Sequence, residues 1–168
     1  MEPTRWLVDH QHLLPRAGTA LDVACGRGRN AIWLALRGLD TRAVDRDEAA
    51  LDDLRREAER LQLPVAVEAI DLEAGDTRLP STAFDVIVVV HYLHRALVPA
   101  LRDALRPGGV LVYETFTRAQ AARGKPTNPA FPLERGELRD LVAPLDIVAA
   151  REGDFEGKML AGVIARRR

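Results

Sequence analysis

The chain has 168 residues, 47% of them hydrophobic, which is enough for one domain with a hydrophobic core. Its formal net charge is -1 and its pI is near 6.4, which disfavours nucleic acid as a partner. The only cysteine, Cys25, excludes an intramolecular disulfide. No signal-peptide pattern begins the chain, and no apolar run reaches the roughly 18 residues that span a bilayer. We therefore expect a soluble, cytoplasmic protein without a membrane partner.

We interpret residues 1–168 as one domain, because neither a repeat nor a second domain is evident. An amphipathic pattern predicts a short helix within residues 1–18. Its inward-facing positions are Trp6, Leu7, His10 and Leu13 or Leu14.

The first strand–turn–helix unit lies within residues 19–35. A short apolar run ends in a glycine pair, Gly26 and Gly28, and a helical pattern follows at once. Glycines let the backbone approach a ligand closely, and the free N–H groups of a helix start face that ligand. The unit therefore predicts a binding site for a nucleotide-like ligand.

Strand and helix patterns alternate from there to about residue 115. Further strands are predicted at 41–44, 65–70, 84–90 and 110–115, helices at 47–61 and 93–105, and a turn at Pro107-Gly108-Gly109. Such alternation implies right-handed crossovers and a parallel sheet. We expect an α/β fold with a doubly wound, mostly parallel sheet.

The last third of the chain has a different pattern. Residues 116–133 are rich in proline and lack periodicity, so they are a candidate lid loop, and a helix is predicted at 134–142. Two apolar runs follow, at 145–151 and 159–165. The gap between them is too short for a crossover helix, so they predict a hairpin with an antiparallel last strand. The sheet then has seven strands.

The glycine turn alone leaves the ligand open. The pattern Gly26-x-Gly28-x-x-Ala31 fits the dinucleotide fingerprint, and Asp45 stands where a ribose-binding carboxylate belongs. This segment is compatible with NAD(H), with another adenosine ligand, or with a plain glycine turn beside a surface aspartate.

Three features argue against NAD(H). Asp22 stands inside the first strand, where a carboxylate suits a ligand with an ammonium group. Asp71 follows the third strand and is placed to accept a hydrogen bond from an exocyclic amine. No substrate domain follows, although a dehydrogenase usually needs one.

With these residues, the chain resembles the class I S-adenosylmethionine-dependent methyltransferases over about residues 19–115, most clearly in Leu21-Asp22-Val23-Ala24-Cys25-Gly26-Arg27-Gly28. The resemblance implies that Asp22 and the glycine loop hold the methionine part of S-adenosyl-L-methionine, that Asp45 binds its ribose, and that Asp71 meets the adenine amine. Cys25 departs from the glycine of many members. The cofactor-binding residues expected from the resemblance are Asp22, Ala24, Cys25, Gly26, Gly28, Asn30, Asp45, Arg46, Asp71 and Leu72.

A narrower resemblance is to the tellurite-resistance type of methyltransferase domain. It rests on Cys-Gly-Arg-Gly-Arg-Asn-Ala at 25–31, on Trp33-Leu34-Ala35, and on Gly-Lys-Pro-Thr-Asn-Pro at 124–129.

Polar residues after the fourth strand are the candidates for chemistry. His91 and Tyr92 follow it at the carboxyl edge, where open α/β sheets bind ligands, so we expect them to line the methyl-transfer pocket, with His91 a candidate base. The alternative is that the nearby His94 caps or packs a helix and that Tyr92 is a core residue. Arg29 beside the glycine loop is either an anchor for an anionic substrate or a solvated side chain. Glu114 or Thr115 is expected to reach the same pocket.

Other chemistries lack their motifs. Ser81 is the only serine and has no nucleophile elbow, and the phosphate-binding loop pattern is absent. Two histidine pairs without cysteine support predict no metal site. With these alternatives set aside, the resemblance implies an S-adenosylmethionine-dependent methyltransferase acting on a small molecule, such as a soft thiol or a tellurite-like nucleophile. The alternatives are a non-catalytic S-adenosylmethionine-binding protein and an NAD-dependent oxidoreductase.

Overall fold

The computed structural model describes all 168 residues and has one seven-stranded sheet at its centre. The strands are β1 (Gly18–Val23), β2 (Leu39–Asp45), β3 (Val65–Ala69), β4 (Phe84–Val90), β5 (Leu105–Phe116), β6 (Asp146–Phe155) and β7 (Lys158–Arg166). They lie in the order β3-β2-β1-β4-β5-β7-β6. Neighbouring strands from β3 to β5 pair in parallel, and β7 is antiparallel to both β5 and β6. The predicted doubly wound sheet with an antiparallel last strand is confirmed.

Six α-helices connect or flank the strands. They are α1 (Arg5–Asp9), α2 (Arg29–Leu36), α3 (Glu48–Arg60), α4 (Val98–Ala104), α5 (Arg118–Ala121) and α6 (Glu137–Val142). The best-defined start is that of α3, where the Asp47 side chain accepts a hydrogen bond from the Ala50 N–H at 3.1 Å. No helix is long and apolar enough to cross a membrane.

The core has two layers, one on each face of the sheet. Alternate residues of β4 point to opposite faces, so Ile87 and Val89 join one cluster while Val86 and Val88 join the other. The first cluster includes buried residues of α4 and α6, and the second includes residues of α1 and α2. Because β4 is buried on both faces, its sequence is apolar except for the half-buried Asp85.

Several predicted boundaries were wrong. The helix expected at 93–105 is a 3₁₀ turn at Arg95–Leu97 followed by α4, because Pro99 is tolerated only in the first turn of a helix. The turn expected at Pro107-Gly108-Gly109 lies within β5, where the register against β4 shifts. The helix expected at 134–142 begins at Glu137.

The predicted hairpin closes the sheet through a two-residue connection. Glu156 and Gly157 have φ angles of 56° and 77°, which are both in the left-handed region. Two-residue hairpins favour this geometry because its twist matches that of the strands.

The N-terminal segment is less helical than predicted for residues 1–18. It consists of α1 and a 3₁₀ turn at Gln11–Leu13. Trp6 and Leu7 are buried, and Leu14 rather than Leu13 completes the apolar face.

The candidate lid loop contains α5 and is tied to the rest of the fold by Arg95. The Arg95 guanidinium donates to the carbonyl oxygens of Ala130 at 2.7 Å and Pro132 at 3.2 Å, and it pairs with Glu137. Leu133 at the end of the loop is fully buried. These contacts hold the loop against the carboxyl edge of the sheet.

Candidate active site

A cavity of about 290 Å³ opens at the carboxyl ends of the parallel strands. Its walls come from the segments that follow β1, β2, β3 and β4, from the end of β5, and from the candidate lid loop. The lining residues are Ala24, Asp45, Arg46, Ile70, Asp71, Leu72, Glu73, His91, Tyr92, Leu93, Thr115, Phe116, Pro126 and Phe131. Such an edge is where open α/β sheets bind their ligands.

Seven of the twelve residues predicted for cofactor binding or catalysis line this first cavity. They are Ala24, Asp45, Arg46, Asp71, Leu72, His91 and Tyr92. The other five, which are Asp22, Cys25, Gly26, Gly28 and Asn30, belong to β1, the glycine turn and the start of α2, outside its lining.

The Asp45 carboxylate is oriented by two backbone N–H groups. Its Oδ2 accepts from Gly26 at 2.7 Å and its Oδ1 from Asp47 at 3.0 Å. The first bond joins the end of β2 to the glycine turn. Because an ionised carboxylate has about four acceptor positions, Asp45 can also receive ligand hydroxyls.

Asp71 is held in a similar way beyond β3. Its Oδ1 accepts from the Glu73 N–H at 3.0 Å, and its carbonyl oxygen accepts from the Thr77 hydroxyl at 2.8 Å. The side chain is exposed at the cavity rim, so its remaining acceptor positions are open.

Asp22 is a buried carboxyl group directly behind the glycine turn. It is 1% exposed, and its Oδ2 accepts from the Ala31 N–H of α2 at 2.9 Å. Burial raises its pKa from 3.8 to about 7, although the hydrogen bond and the positive charge of Arg29 oppose that shift. A buried acid of this kind favours a cationic ligand group.

The two glycines of the turn have different surroundings. Both have positive φ, 54° at Gly26 and 75° at Gly28. A Cβ at Gly26 would meet nothing within 4 Å, whereas one at Gly28 would lie 2.3 Å from Leu54 Cδ1. Gly26 therefore borders open space, as close approach to a ligand requires, and Gly28 allows α3 to pack.

Cys25 and Asn30 have structural contacts. Burial, together with the negative charges of Asp22 and Asp45, raises the pKa of the Cys25 thiol, which therefore stays protonated. Asn30 is buried, and its Oδ1 accepts from the Thr4 N–H at 2.9 Å. That bond fixes the N-terminal segment to α2.

His91 lies where β4 ends and has a left-handed φ of 57°. Its backbone N–H donates to the Glu114 carbonyl oxygen at 2.8 Å. Its imidazole ring stacks on the Phe116 ring, with the two centroids 4.6 Å apart. Burial, followed by the positive charges of Lys158 and Arg29, lowers the pKa of His91 to about 4. At neutral pH the ring is therefore uncharged and a weak base.

Tyr92 lies at the acidic end of the first cavity. Burial raises the pKa of its hydroxyl, and the negative charges of Glu73, Asp71 and Asp45 act in the same direction, against Arg46. This hydroxyl is buried and has no hydrogen-bond partner in the protein. An orphaned hydroxyl in the wall of a cavity fits a site whose polar ligand supplies the missing partner.

A second cavity, of about 630 Å³, shares His91 with the first. Arg29, His91 and Glu114 of this cavity were candidate site residues, but their grouping was not predicted, because its walls come from distant parts of the chain. The lining residues are Glu2, Pro3, Thr4, Arg5, Val8, Asp9, Arg29, Trp33, His91, Glu114, Arg151, Glu156, Lys158 and Leu160.

A buried ion pair forms part of this second wall. Glu114 is 2% exposed, and its Oε2 accepts from the Nε of Arg151 at 3.0 Å, while its Oε1 accepts from the Thr4 hydroxyl at 3.1 Å. The Arg151 guanidinium lies over the rings of Trp6 and Phe155. Of the two residues expected at the end of β5, Thr115 lines the first cavity and Glu114 lines the second.

The strand order and the cavity at the carboxyl edge define a cofactor-binding α/β domain of the methyltransferase type. A family model described as "Methyltransferase domain" matches residues 20–109. The chain belongs to this family and is a class I S-adenosylmethionine-dependent methyltransferase domain, whose cofactor is S-adenosyl-L-methionine.

Of two relatives that match most of this chain, one is described as a methyltransferase and the other has a different description. A probable S-adenosylmethionine-dependent methyltransferase of Mycobacterium tuberculosis is 30% identical over 174 residues, covering 96% of this chain and 61% of the relative. "Hemagglutinin 1" of Eikenella corrodens is 31% identical over 138 residues, covering 79% of this chain and 45% of the relative.

The resemblance to the tellurite-resistance type is also supported. The probable methyltransferase TehB of Haemophilus influenzae is 30% identical over 81 residues, covering 48% of this chain and 28% of the relative. A crystal structure of TehB from Haemophilus influenzae has a TM-score of 0.77 at 19% identity, covering 97% of this chain and 61% of that chain. The chain thus spans between 28% and 61% of the length of these curated relatives.

Proposed function

We propose that this chain transfers a methyl group from S-adenosyl-L-methionine to a small-molecule acceptor. The observation that carries the proposal is the convergence of Asp45, Asp71 and His91 on one cavity at the carboxyl edge. The two carboxylates match the polar groups of an adenosine, and the uncharged His91 ring lines the same cavity.

The residues of the first cavity fit the cofactor. Asp45 would receive the ribose hydroxyls, Asp71 the adenine amine, and Leu72 would lie against the adenine ring. Asp22 would attract the ammonium group, and open space beside Gly26 would let the methionine part approach the backbone. The bound cofactor supplies an electrophilic methyl group.

The protein's contribution to the transfer is orientation of the acceptor and exclusion of water. His91, with its pKa near 4, is too weak a base at neutral pH to deprotonate an ordinary hydroxyl or amine. This favours an acceptor that is already nucleophilic, such as a thiolate or a tellurite-like oxyanion. The Phe116 ring fixes the plane of the His91 ring beside the site of transfer.

A small-molecule acceptor is favoured over nucleic acid because the net charge is -1. The single cysteine, held as a thiol, is consistent with a reducing compartment, and we propose the cytoplasm. The candidate lid loop contributes Pro126 and Phe131 to the cavity wall and would shield the reacting groups.

Methyl transfer from radiolabelled cofactor to a panel of thiols, tellurite and amines tests the proposal. We expect a labelled product with a soft anionic acceptor. Calorimetric titration with S-adenosylhomocysteine and with NADH provides the binding control. Tight NADH binding without S-adenosylhomocysteine binding would refute the proposal. Cofactor binding without turnover on any acceptor would favour the non-catalytic alternative.

Replacing Asp45 tests the ribose contact. We expect Asp45→Ala to weaken S-adenosylhomocysteine binding by about 1.5–3 kcal/mol, the range for hydrogen bonds to a charged group. The Gly26 N–H also loses its acceptor, so thermal unfolding of the unliganded variant is measured alongside. Asp40→Asn, at an exposed position of β2, is the control. An unchanged dissociation constant would remove Asp45 from the cofactor site.

A further inference from the structure

The second cavity contains both acidic and basic side chains, and most of them neutralise one another. Arg5 lies 3.9 Å from Asp9 and 3.5 Å from Glu156, and Arg151 is paired with the buried Glu114. Because Arg5 is shared by two acids, these contacts leave one negative charge near the N-terminal segment, whereas the pair of Arg151 and Glu114 is neutral.

Two cations of this cavity remain without an acidic partner. Arg29 is half-buried at the start of α2, Lys158 begins β7, and neither forms a salt bridge. Both are close enough to His91 to lower its pKa. The remaining unpaired acid, Glu2, lies in the N-terminal segment. The part of the cavity next to His91 is therefore positively charged.

His91 also connects this cavity to the proposed cofactor cavity, because its side chain lines both. A molecule held by Arg29 and Lys158 would lie across His91 from the adenosine end. Trp33 and Leu160 provide apolar wall on the same side. The second cavity therefore combines a cationic end, an apolar wall and proximity to the point of transfer.

We propose that the second cavity is the acceptor site and that it selects acceptors carrying a carboxylate, which Arg29 and Lys158 bind. The inference rests on the proposed methyl transfer and specifies the class of its acceptor. A carboxylate can accept charge-assisted hydrogen bonds from both cations. A neutral molecule of the same shape would leave the two positive charges uncompensated.

The test uses two probes, 4-mercaptobenzoate and 4-mercaptobenzamide, of which the second lacks only the carboxylate charge. In the transfer, the thiolate sulfur forms the new S–C bond as the S–C bond of the sulfonium breaks. The electron pair of that bond stays on the departing thioether sulfur, so no oxidant or reductant is needed. Loss of the thiolate absorbance reports turnover, and saturation-transfer NMR with excess S-adenosylhomocysteine reports binding independently of turnover.

We expect the parent protein to bind the acid at least tenfold more tightly than the amide, and to methylate it with a correspondingly higher kcat/KM. In Arg29→Gln and in Lys158→Gln, the ratio of the dissociation constant of the amide to that of the acid should fall to nearly one. Binding of the amide should be unchanged. Arg56→Gln is the matched control, because Arg56 is exposed on α3 and pairs with Asp53, and neither residue lines either cavity. Its preference should equal that of the parent.

Equal binding of acid and amide by the parent would overturn the inference, as would an undiminished preference in both variants. A tenfold loss of S-adenosylhomocysteine affinity in both variants would also overturn it, because the two cations would then belong to the cofactor. Binding of the acid that depends on both cations, with no methyl transfer to any acceptor, would support the anion site and refute the proposed function.

Discussion

Asp22→Asn is expected to make the unliganded protein more stable at pH 8 and to abolish cofactor binding. In the folded protein the pKa of Asp22 is about 7, against 3.8 for an unburied aspartate. The folded state therefore binds more protons than the unfolded state between about pH 4 and pH 7. Over that range, the contribution of Asp22 to the free energy of unfolding falls as the pH rises.

The size of this effect follows from the pKa shift. From pH 5 to pH 8, the stability of Asp22→Asn relative to the parent should rise by about 3 kcal/mol, at about 1.4 kcal/mol per pKa unit. Asparagine keeps an acceptor oxygen for the Ala31 N–H, but its buried NH₂ group brings a cost that is independent of pH. Comparing two pH values removes that constant cost.

Urea unfolding of both proteins at pH 5 and pH 8 measures the change. Asp40→Asn removes the same charge from an exposed position of β2 and should show no such rise. In the parent, S-adenosylhomocysteine affinity should increase from pH 6 to pH 8, because an ammonium group prefers the ionised Asp22. A pH-independent stability difference would show that Asp22 is ionised in the fold, and full cofactor affinity in Asp22→Asn would remove it from the site.

Asp22 therefore links function to a loss of stability. A carboxyl group with one hydrogen bond and almost no exposure is costly to ionise in the absence of a cationic partner. Such a cost is common at binding sites, where a group is arranged for its ligand rather than for the empty fold.

The sequence predicted the sheet well because its strands are buried on both faces. The run at 84–90 became β4 with the predicted ends, since five consecutive apolar residues, Val86 to Val90, are most readily buried in a strand covered on both faces. Helix ends were predicted less well. The helical pattern at 93–105 was extended through Pro99, although a proline is best tolerated in the first turn of a helix, where it lies in α4.

The carboxylates of the first cavity were predictable for a similar reason. Asp45 and Asp71 each follow a parallel strand, and the carboxyl ends of parallel strands meet at one edge of the sheet. The grouping of residues in the second cavity was not predictable, although Arg29, His91 and Glu114 were candidate site residues. It joins Thr4, Glu114 and Arg151, which are far apart in the chain, and no local periodicity encodes such contacts.

Substitutions at the two glycines of the turn should separate an effect on folding stability from an effect on cofactor binding. Both have positive φ, so alanine at either position should cost about 1–2 kcal/mol of stability from the backbone alone. At Gly28 the new Cβ would also press on Leu54, which is fully buried and cannot move away freely. Overpacking of this kind adds about 1–3 kcal/mol.

We therefore expect Gly28→Ala to lower the free energy of unfolding by about 2–5 kcal/mol, while the fraction that remains folded still binds S-adenosylhomocysteine. Gly26→Ala should lower the free energy of unfolding only by the backbone contribution, about 1–2 kcal/mol. Gly26→Val should remain folded but lose cofactor binding. Urea unfolding and calorimetric titration of each variant measure the two properties separately. Normal binding by Gly26→Val would place the cofactor away from the turn. Equal destabilisation by the two alanines would mean that the buried contact between Gly28 and Leu54 is looser than the structure indicates.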